Sequence, residues 1–384
     1  MILHTLLDYD VLRVIWWLLL GVLLIGFAVT DGFDLGAGTL LPFVARDDLE
    51  RRIVINTVGP VWEGNQVWLI LGGGAIFAAW PHIYAMSFSG FYLAMFAALF
   101  ALILRPVGFK YRSKQDGAVW RSAWDWCLFI GGFVPSLIFG VALGNVLQGV
   151  PFRFTPEMRM VYEGSFLGLL NPFALLCGLV SVAMLVMHGG AWLTFKTEAA
   201  VAERARRFAS TAALVTIVLY ALAGGLLWAW VGGYALSSAH LPNGPSNPLL
   251  KTVQSGISGG WFANYQQHPW TLAAPLLGFV GAALAWVGLR ARWEGPTLLF
   301  SGLSIAGIIL SVGASMFPFI VPSSTDLRSS LMVWDASSSH LTLFIMLVCA
   351  IVFVPIILAY TTWVYRVMWG KVRPRDITDG GHAY

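Results

Sequence analysis

Pro60-Val61-Trp62-Glu63-Gly64-Asn65-Gln66-Val67-Trp68 is the stretch on which the fold of this 384-residue chain turns. It lies in an apolar run over 55–79, yet it holds one acid and two amides, and a hydropathy threshold alone would discard it as a membrane crossing. Outward from it, runs of about 20 mostly apolar residues, the length a bilayer core requires, recur near 12–29, 83–104, 123–147, 166–189, 208–231, 270–289, 296–318 and 340–365. Counting the polar stretch gives nine crossings, and omitting it gives eight. Charge decides between them. With nine crossings, the loops 30–54, 105–122, 190–207 and 290–295 and the C-terminal tail share one side and carry eighteen of the 23 Lys/Arg. The other side keeps Arg13, Arg153, Arg159, Lys251 and Arg328. The positive-inside rule then sets the C-terminus in the cytoplasm and the N-terminus outside. Deleting the second crossing would invert everything after it and strand Arg46, Arg51 and Arg52 beside the poorly charged loops.

The expected fold class is therefore an all-α polytopic membrane protein with nine transmembrane helices, N-terminus periplasmic and C-terminus cytoplasmic. Composition agrees, with 58% hydrophobic residues, 11% charged and a mean hydropathy of +0.75, where soluble folds carry ~45–50% apolar residues. The chain reads as one membrane domain over 1–384, with a first bundle at about 8–150, a second half at about 160–368 and a short tail at 369–384. Its two longest connections, 232–269 and 319–339, are Gly/Pro/Ser-rich and fall on the outer face. A net charge of +4 argues against a nucleic-acid surface. Cys127, Cys177 and Cys349 sit in apolar runs at spacings that fit neither a disulfide framework nor a thiolate metal site. The first apolar run ends at Thr30-Asp31-Gly32 without a small-residue cleavage site, so it is expected to stay as a span.

Burying an ionisable group in hydrocarbon costs roughly 2.5–3.5 kcal/mol on insertion scales, so each one needs a partner, a water path or a function. Glu63 is the acid well inside a run. With the second helix entering from the cytoplasm near Ile55, it lies about 12 Å deep at ~1.5 Å rise per residue. Asp31 and Asp34 are expected to end the first crossing on the cytoplasmic side, sharing one face if the helix continues through Gly32-Phe33. The three acids would form a ladder toward mid-bilayer, which is what a proton route requires. Plainer readings stay open, with Asp31 as a cap in a Thr-Asp-Gly turn and Asp34 paired with Arg46 or Arg51. A buried carboxyl confers little stability by itself, which favours a functional role for Glu63. Arg105, before Pro106, reads as a snorkelling topology anchor at the end of the third crossing. Asp125, between Trp124 and Trp126, reads as interfacial with an Arg partner, and Asp335 reads as structural.

Of the seven histidines, His4 and His382 are terminal, His82, His240 and His268 lie in outer loops, and His188 and His340 touch the ends of spans. No pair shares a helix at metal-ligand spacing. Met184, Met187 and Met346 could serve a heme, but Met in such places is usually packing. The chain is expected to bind no metal and no catalytic cofactor of its own.

Several strings taken together are more specific than any one of them. Ile15-Trp16-Trp17-Leu18, Gly26-Phe27-Ala28-Val29-Thr30-Asp31-Gly32-Phe33-Asp34-Leu35-Gly36, Trp62 to Trp68, Phe88-Ser89-Gly90-Phe91-Tyr92, Arg105-Pro106-Val107-Gly108-Phe109, Gly144 to Pro151 and Met316-Phe317-Pro318-Phe319 closely resemble subunit II of bacterial cytochrome bd quinol oxidases, from about residue 8 to the C-terminus. The resemblance implies a complex of the bacterial inner membrane that oxidises ubiquinol, reduces dioxygen to water and generates a proton gradient. It implies two b hemes, heme d and the quinol site in a partner subunit I, and none of these in this chain. It also implies two four-helix bundles plus one extra helix, with room for a bound structural quinone and for small accessory subunits. The tasks implied for this chain are to stabilise subunit I and to supply proton-path carboxyls, here Asp31, Asp34 and Glu63. Asn65, Gln66, Trp68, Arg105 and Asp125 would support that path or the interface, and Trp68 matches a tryptophan near a proposed oxygen entry route. Three departures stand out: Glu63 where the family usually has Asp, and Val61 and His188 where a family member has His and Gln. Two competing readings use the same acids, one as the coupling groups of a secondary transporter with a helix broken at Pro60 and Gly64, the other as charges that merely pair with arginines in a scaffold subunit.

Overall fold

The computed structural model describes residues 6–378; His4, His382 and the end of the expected tail lie outside the described residues. The chain enters through α1 (Tyr9–Val44), 36 residues long. This helix runs fifteen residues past its expected end at 29. The reason is local: Thr30 returns its hydroxyl to the Gly26 carbonyl at 2.7 Å, Asp31 and Asp34 find partners on other helices, and 35–44 is again apolar and mostly buried. Charged residues inside the run gave the appearance of a terminus where partners exist to keep the helix going.

The second expected crossing is likewise divided. Asp47 caps α2 (Asp48–Val58) by accepting from the Glu50 amide at 2.8 Å, and the chain turns through Gly59-Pro60-Val61 before α3 (Trp62–Ala79). Then follow α4 (Pro81–Gly90), α5 (Tyr92–Tyr111), α6 (Ala118–Gln148), α7 (Pro172–Lys196), α8 (Ala199–Ala229), the short α9 (Ala263–Gln267), α10 (Ala273–Ala291), α11 (Glu294–Met316), α12 (His340–Val367) and the terminal turn α13 (Pro374–Thr378). Among the described residues eight helices are long and apolar enough to cross a membrane. α3 is not one of them, because Glu63, Asn65 and Gln66 occupy its first two turns.

Helix α1 is the centre of the packing, against α3, α6, α7 and α11; α5 lies on α6, α7 on α8 and α11, and α10 between α8 and α11. Glycines allow the closest of these approaches. A Cβ on Gly36 would stand 2.0 Å from the Leu185 carbonyl, one on Gly132 2.4 Å from that of Leu35, and one on Gly140 2.4 Å from that of Cys177. α1, α6 and α7 therefore meet backbone to backbone. α12 touches α1 and α3, reaches Trp192 of α7 through Tyr365, and is mostly exposed on the chain alone, with 6% of its most apolar stretch buried.

The chain is mostly helical, as expected, and its longer connections carry three small two-stranded antiparallel sheets: β1 (Phe152–Phe154) with β2 (Met160–Tyr162), β3 (Gly233–Leu236) with β4 (Val253–Ile257), and β5 (Phe319–Val321) with β6 (Leu331–Met332). Long connections leave backbone groups that must be paired wherever they are buried. A charged clasp ties this cap to the start of α1. Arg13, fully buried, donates to Asp10 at 2.9 Å, Ser337 at 2.9 Å, Ser246 at 3.1 Å and the Gly244 carbonyl at 3.0 Å. Lys251 donates to Asp335 at 2.7 Å; burial draws both toward their neutral forms, the amine down and the carboxyl up, against their mutual attraction.

Candidate functional site: a buried acid pair sharing one arginine

Asp31 and Asp34, three residues apart on α1, project from the same side of the helix. Both are buried within the bundle, at 0% and 2% exposure, and neither lies at a helix end. Arg105 reaches them from α5. Its two terminal nitrogens donate to the two Asp31 oxygens at 3.0 and 2.7 Å, a bidentate fork, and Nη2 lies 3.8 Å from Asp34 Oδ2. Arg105 does not snorkel, being 2% exposed. Helix α5 continues to Tyr111, so Arg105 sits more than a turn inside it. Asp34 pairs with neither Arg46 nor Arg51; the Arg46 amide serves Glu50 at 2.7 Å and Arg51 serves Asp125 at 2.6 Å.

Asn65 of α3 completes the site. Its Nδ2 donates to Asp34 Oδ2 at 2.8 Å, and its Oδ1 accepts from the Tyr365 hydroxyl of α12 at 2.6 Å. Asp34 Oδ1 is buried and has no partner. Two acids and one fixed cation thus occupy an apolar interior, and one proton is needed for the group to be neutral. A charge left uncompensated there is costly.

Glu63 falls elsewhere. It stands in the first turn of α3, after the break at 59–61, and not midway along a continuous helix entering at Ile55. It is exposed on the chain alone and makes no hydrogen bond or ion pair among the described residues. Asn65 faces inward, and a residue two positions away on a helix faces roughly the other way, so the expected three-acid ladder is interrupted within this chain after Asp31 and Asp34. Gln66 is half-buried. Trp68 is buried with its ring against Gly26 of α1. Asp125 is buried near the start of α6 and accepts from Arg112 Nε and Arg51 Nη1, both at 2.6 Å. His188, expected near a span end, lies well inside α7, with Nδ1 2.7 Å from Ser301 Oγ and Nε2 2.9 Å from the Val29 carbonyl. Among the described residues no group of three or more His, Cys, Asp or Glu is arranged to hold a metal. Tyr365 and the Arg105 fork escaped the sequence because both are pairings between distant helices; the recognisable signal was a cation within six residues of the end of an unbroken apolar run.

The fold defines the class first, a polytopic helical membrane protein, with two acids sharing one arginine inside the bundle. Comparison with known proteins makes the assignment specific. The family described as cytochrome bd terminal oxidase subunit II matches residues 12–368. The chain is 51% identical over 376 residues to cytochrome bd-I ubiquinol oxidase subunit 2 of Escherichia coli K12, covering 98% of this chain and 99% of that protein. It is 50% identical to the probable cytochrome oxidase subunit 2 of Haemophilus influenzae, with the same coverage, and 30% identical to cytochrome bd ubiquinol oxidase subunit 2 of Bacillus subtilis, covering 94% and 97%. A chain of the bd oxidase from Geobacillus thermodenitrificans shares the fold at TM-score 0.67 and 17% identity, covering 93% of this chain and 98% of that one. The chain belongs to the cytochrome bd terminal oxidase subunit II family, and is a multi-pass component of a bacterial inner-membrane terminal oxidase. The transporter reading falls with that membership.

Proposed function

We propose that this chain is the non-heme subunit of a complex that oxidises ubiquinol and reduces dioxygen to water, and that it carries part of the proton supply from the cytoplasm. Its Escherichia coli and Bacillus subtilis relatives are named as ubiquinol oxidase subunits, which supports ubiquinol as the reductant. Two b hemes and heme d belong to the partner subunit I, which this chain stabilises; small accessory subunits and a structural quinone are compatible with that assembly. In this topology α3 also crosses the membrane, which brings the crossings to nine, and the N-terminus is periplasmic and the C-terminus cytoplasmic. α1, α3, α5 and α6 form one bundle, α7, α8, α10 and α11 the other, and α12 is the extra helix.

The observation that carries the proton reading is the excess of one acid over base in the Asp31–Arg105–Asp34 group, with Asp34 Oδ1 bare. Glu63, exposed on the chain alone, is then the carboxyl that passes the proton across the subunit boundary; an ionised side chain facing lipid would carry an insertion cost of roughly 2.5–3.5 kcal/mol. The test is Asp34→Asn and Glu63→Gln in the assembled complex, reading quinol-coupled oxygen consumption and proton uptake together. Each is expected to cut both by an order of magnitude while the heme bands remain. Wild-type rates with intact hemes would remove the relay.

A further inference from the structure

Tyr365 has no task in that account, and its surroundings constrain it closely for a side chain on so bare a helix. The ring packs edge-on against Phe33 of α1, with centroids 6.5 Å apart, and against Trp192 of α7 at 6.3 Å. These two rings aim the phenol inward at Asn65 Oδ1. An Asn side chain has a donating end and an accepting end of nearly the same shape. Asp34 Oδ2 can only accept from Asn65 when the acid is ionised, so the amide nitrogen must face Asp34 and the amide oxygen must face α12. The phenol, able to give or to take, is thereby required to donate. Conversely, that donated bond is what keeps the amide from turning its oxygen toward the carboxylate.

One carboxyl oxygen is thus held and the other is not. Oδ2 takes the amide at 2.8 Å and lies 3.8 Å from Arg105, while Oδ1 is buried without a partner. We infer that Tyr365 and Asn65 are positioning residues for proton transfer, holding the Asp34 carboxyl so that Oδ1 is the atom that receives a proton from the cytoplasmic side and releases it toward the heme-bearing subunit. The proton comes from a hydrated proton on the cytoplasmic side, whose O–H bond breaks and leaves water as the Oδ1–H bond forms; on release the Oδ1–H bond breaks as a bond to the next acceptor forms, and Asp34 returns to carboxylate with no change of oxidation state. This deepens the proton-route proposal and rests on it.

The groups facing Asp34 are known from each helix packed near it. Asp31 stands on α1, Arg105 on α5, Asn65 on α3 and Tyr365 on α12. α7 contributes His188, held by the Val29 carbonyl and by Ser301 of α11. Asp125 of α6 and Arg51 of α2 are bonded to each other, and Arg204 of α8 is bonded to Glu50 and the Val44 carbonyl.

The experiment measures the pH profile of quinol-coupled oxygen consumption in the assembled complex, with heme spectra as the check on assembly. Tyr365→Phe keeps the ring packing and removes the donor. A carboxyl that loses a properly oriented donor holds its proton to higher pH, so the profile is expected to move upward by about 0.5–1 pH unit, the displacement that goes with one ordinary hydrogen bond. Asn65→Ala should give the same displacement, and the double variant no more than either alone, because both are links in one chain. Additive losses of turnover with an unmoved profile would overturn the inference, since that is what a packing role predicts. If Asp34→Asn abolishes turnover while Tyr365→Phe leaves the profile in place, the positioning role falls and the relay stands. If Asp34→Asn itself leaves turnover and proton uptake intact, the relay falls and this inference with it.

Discussion

Arg105 shows how one residue joins stability to chemistry. A guanidinium matches a carboxylate with two parallel bonds, which an ammonium cannot, and here it faces two acids with one charge. Removing one partner of such a buried pair costs about 3–5 kcal/mol, because the other charge is left uncompensated. Arg105→Leu is therefore expected to lower the melting temperature and the yield of assembled complex sharply. Arg105→Leu combined with Asp31→Leu should recover most of the loss of stability, since a well-packed apolar pair replaces a buried ionic one with little penalty. Thermal melting of the purified complexes, followed by intrinsic fluorescence, checks both; a double variant as unstable as the single one would contradict the pairing. The sequence made Asp31 and Asp34 visible as acids in the wrong solvent. It could not show that their cation comes from a residue 74 positions on, and it suggested a surface anchor for Arg105 because a basic residue followed by Pro near the end of an apolar run ordinarily is one.

At the level of helices, glycine at the crossing of α1 and α7 sets how deeply the acids sit. Gly36 lies two residues beyond Asp34, and a methyl group there would meet the Leu185 carbonyl at 2.0 Å. Neither side of that contact is a flexible side chain, so the helices must separate. Overpacking of this kind costs typically 1–3 kcal/mol. Gly36→Ala should lower the melting temperature and also slow turnover, because separating α1 from α7 shifts Asp34 relative to Arg105. Unchanged melting and turnover would mean that the helices slide without loss. Most helix positions were legible from apolar runs of bilayer length, and α6 to α8 and α10 to α12 fall close to where those runs lie. The failures have a common cause. Acids in α1, and Gly59-Pro60 before α3, were read from local composition, whereas the length of α1 depends on pairing and the break before α3 depends on turn chemistry. The three small sheets were equally hidden, since strands of two to five residues carry too little periodicity to register.

For the molecule as a whole, the orientation rests on whether α3 crosses the membrane. At eighteen residues it spans about 27 Å at ~1.5 Å per residue, close to the ~30 Å hydrocarbon thickness, even though hydropathy alone leaves it out. In a background lacking Cys127, Cys177 and Cys349, Leu49→Cys and Pro81→Cys probe exposed positions on the two sides of α3. A membrane-impermeant maleimide should label Pro81→Cys in intact spheroplasts and Leu49→Cys only after permeabilisation. Labelling of both from one side would mean that α3 does not cross. The positive-inside count is the ground for expecting this orientation, because it places eighteen of 23 cations on one side. Finally, the hydrogen-bond chain from α12 to the acid pair has a consequence for biosynthesis. Asp31 and Asp34 leave the ribosome well before Tyr365, so the Asn65 amide gains its partner on α12 only after the helices it packs among have been made. A polypeptide terminated before α12 would contain both acids yet lack the phenol that holds the amide, which ties the maturation of this site to a helix made long after them.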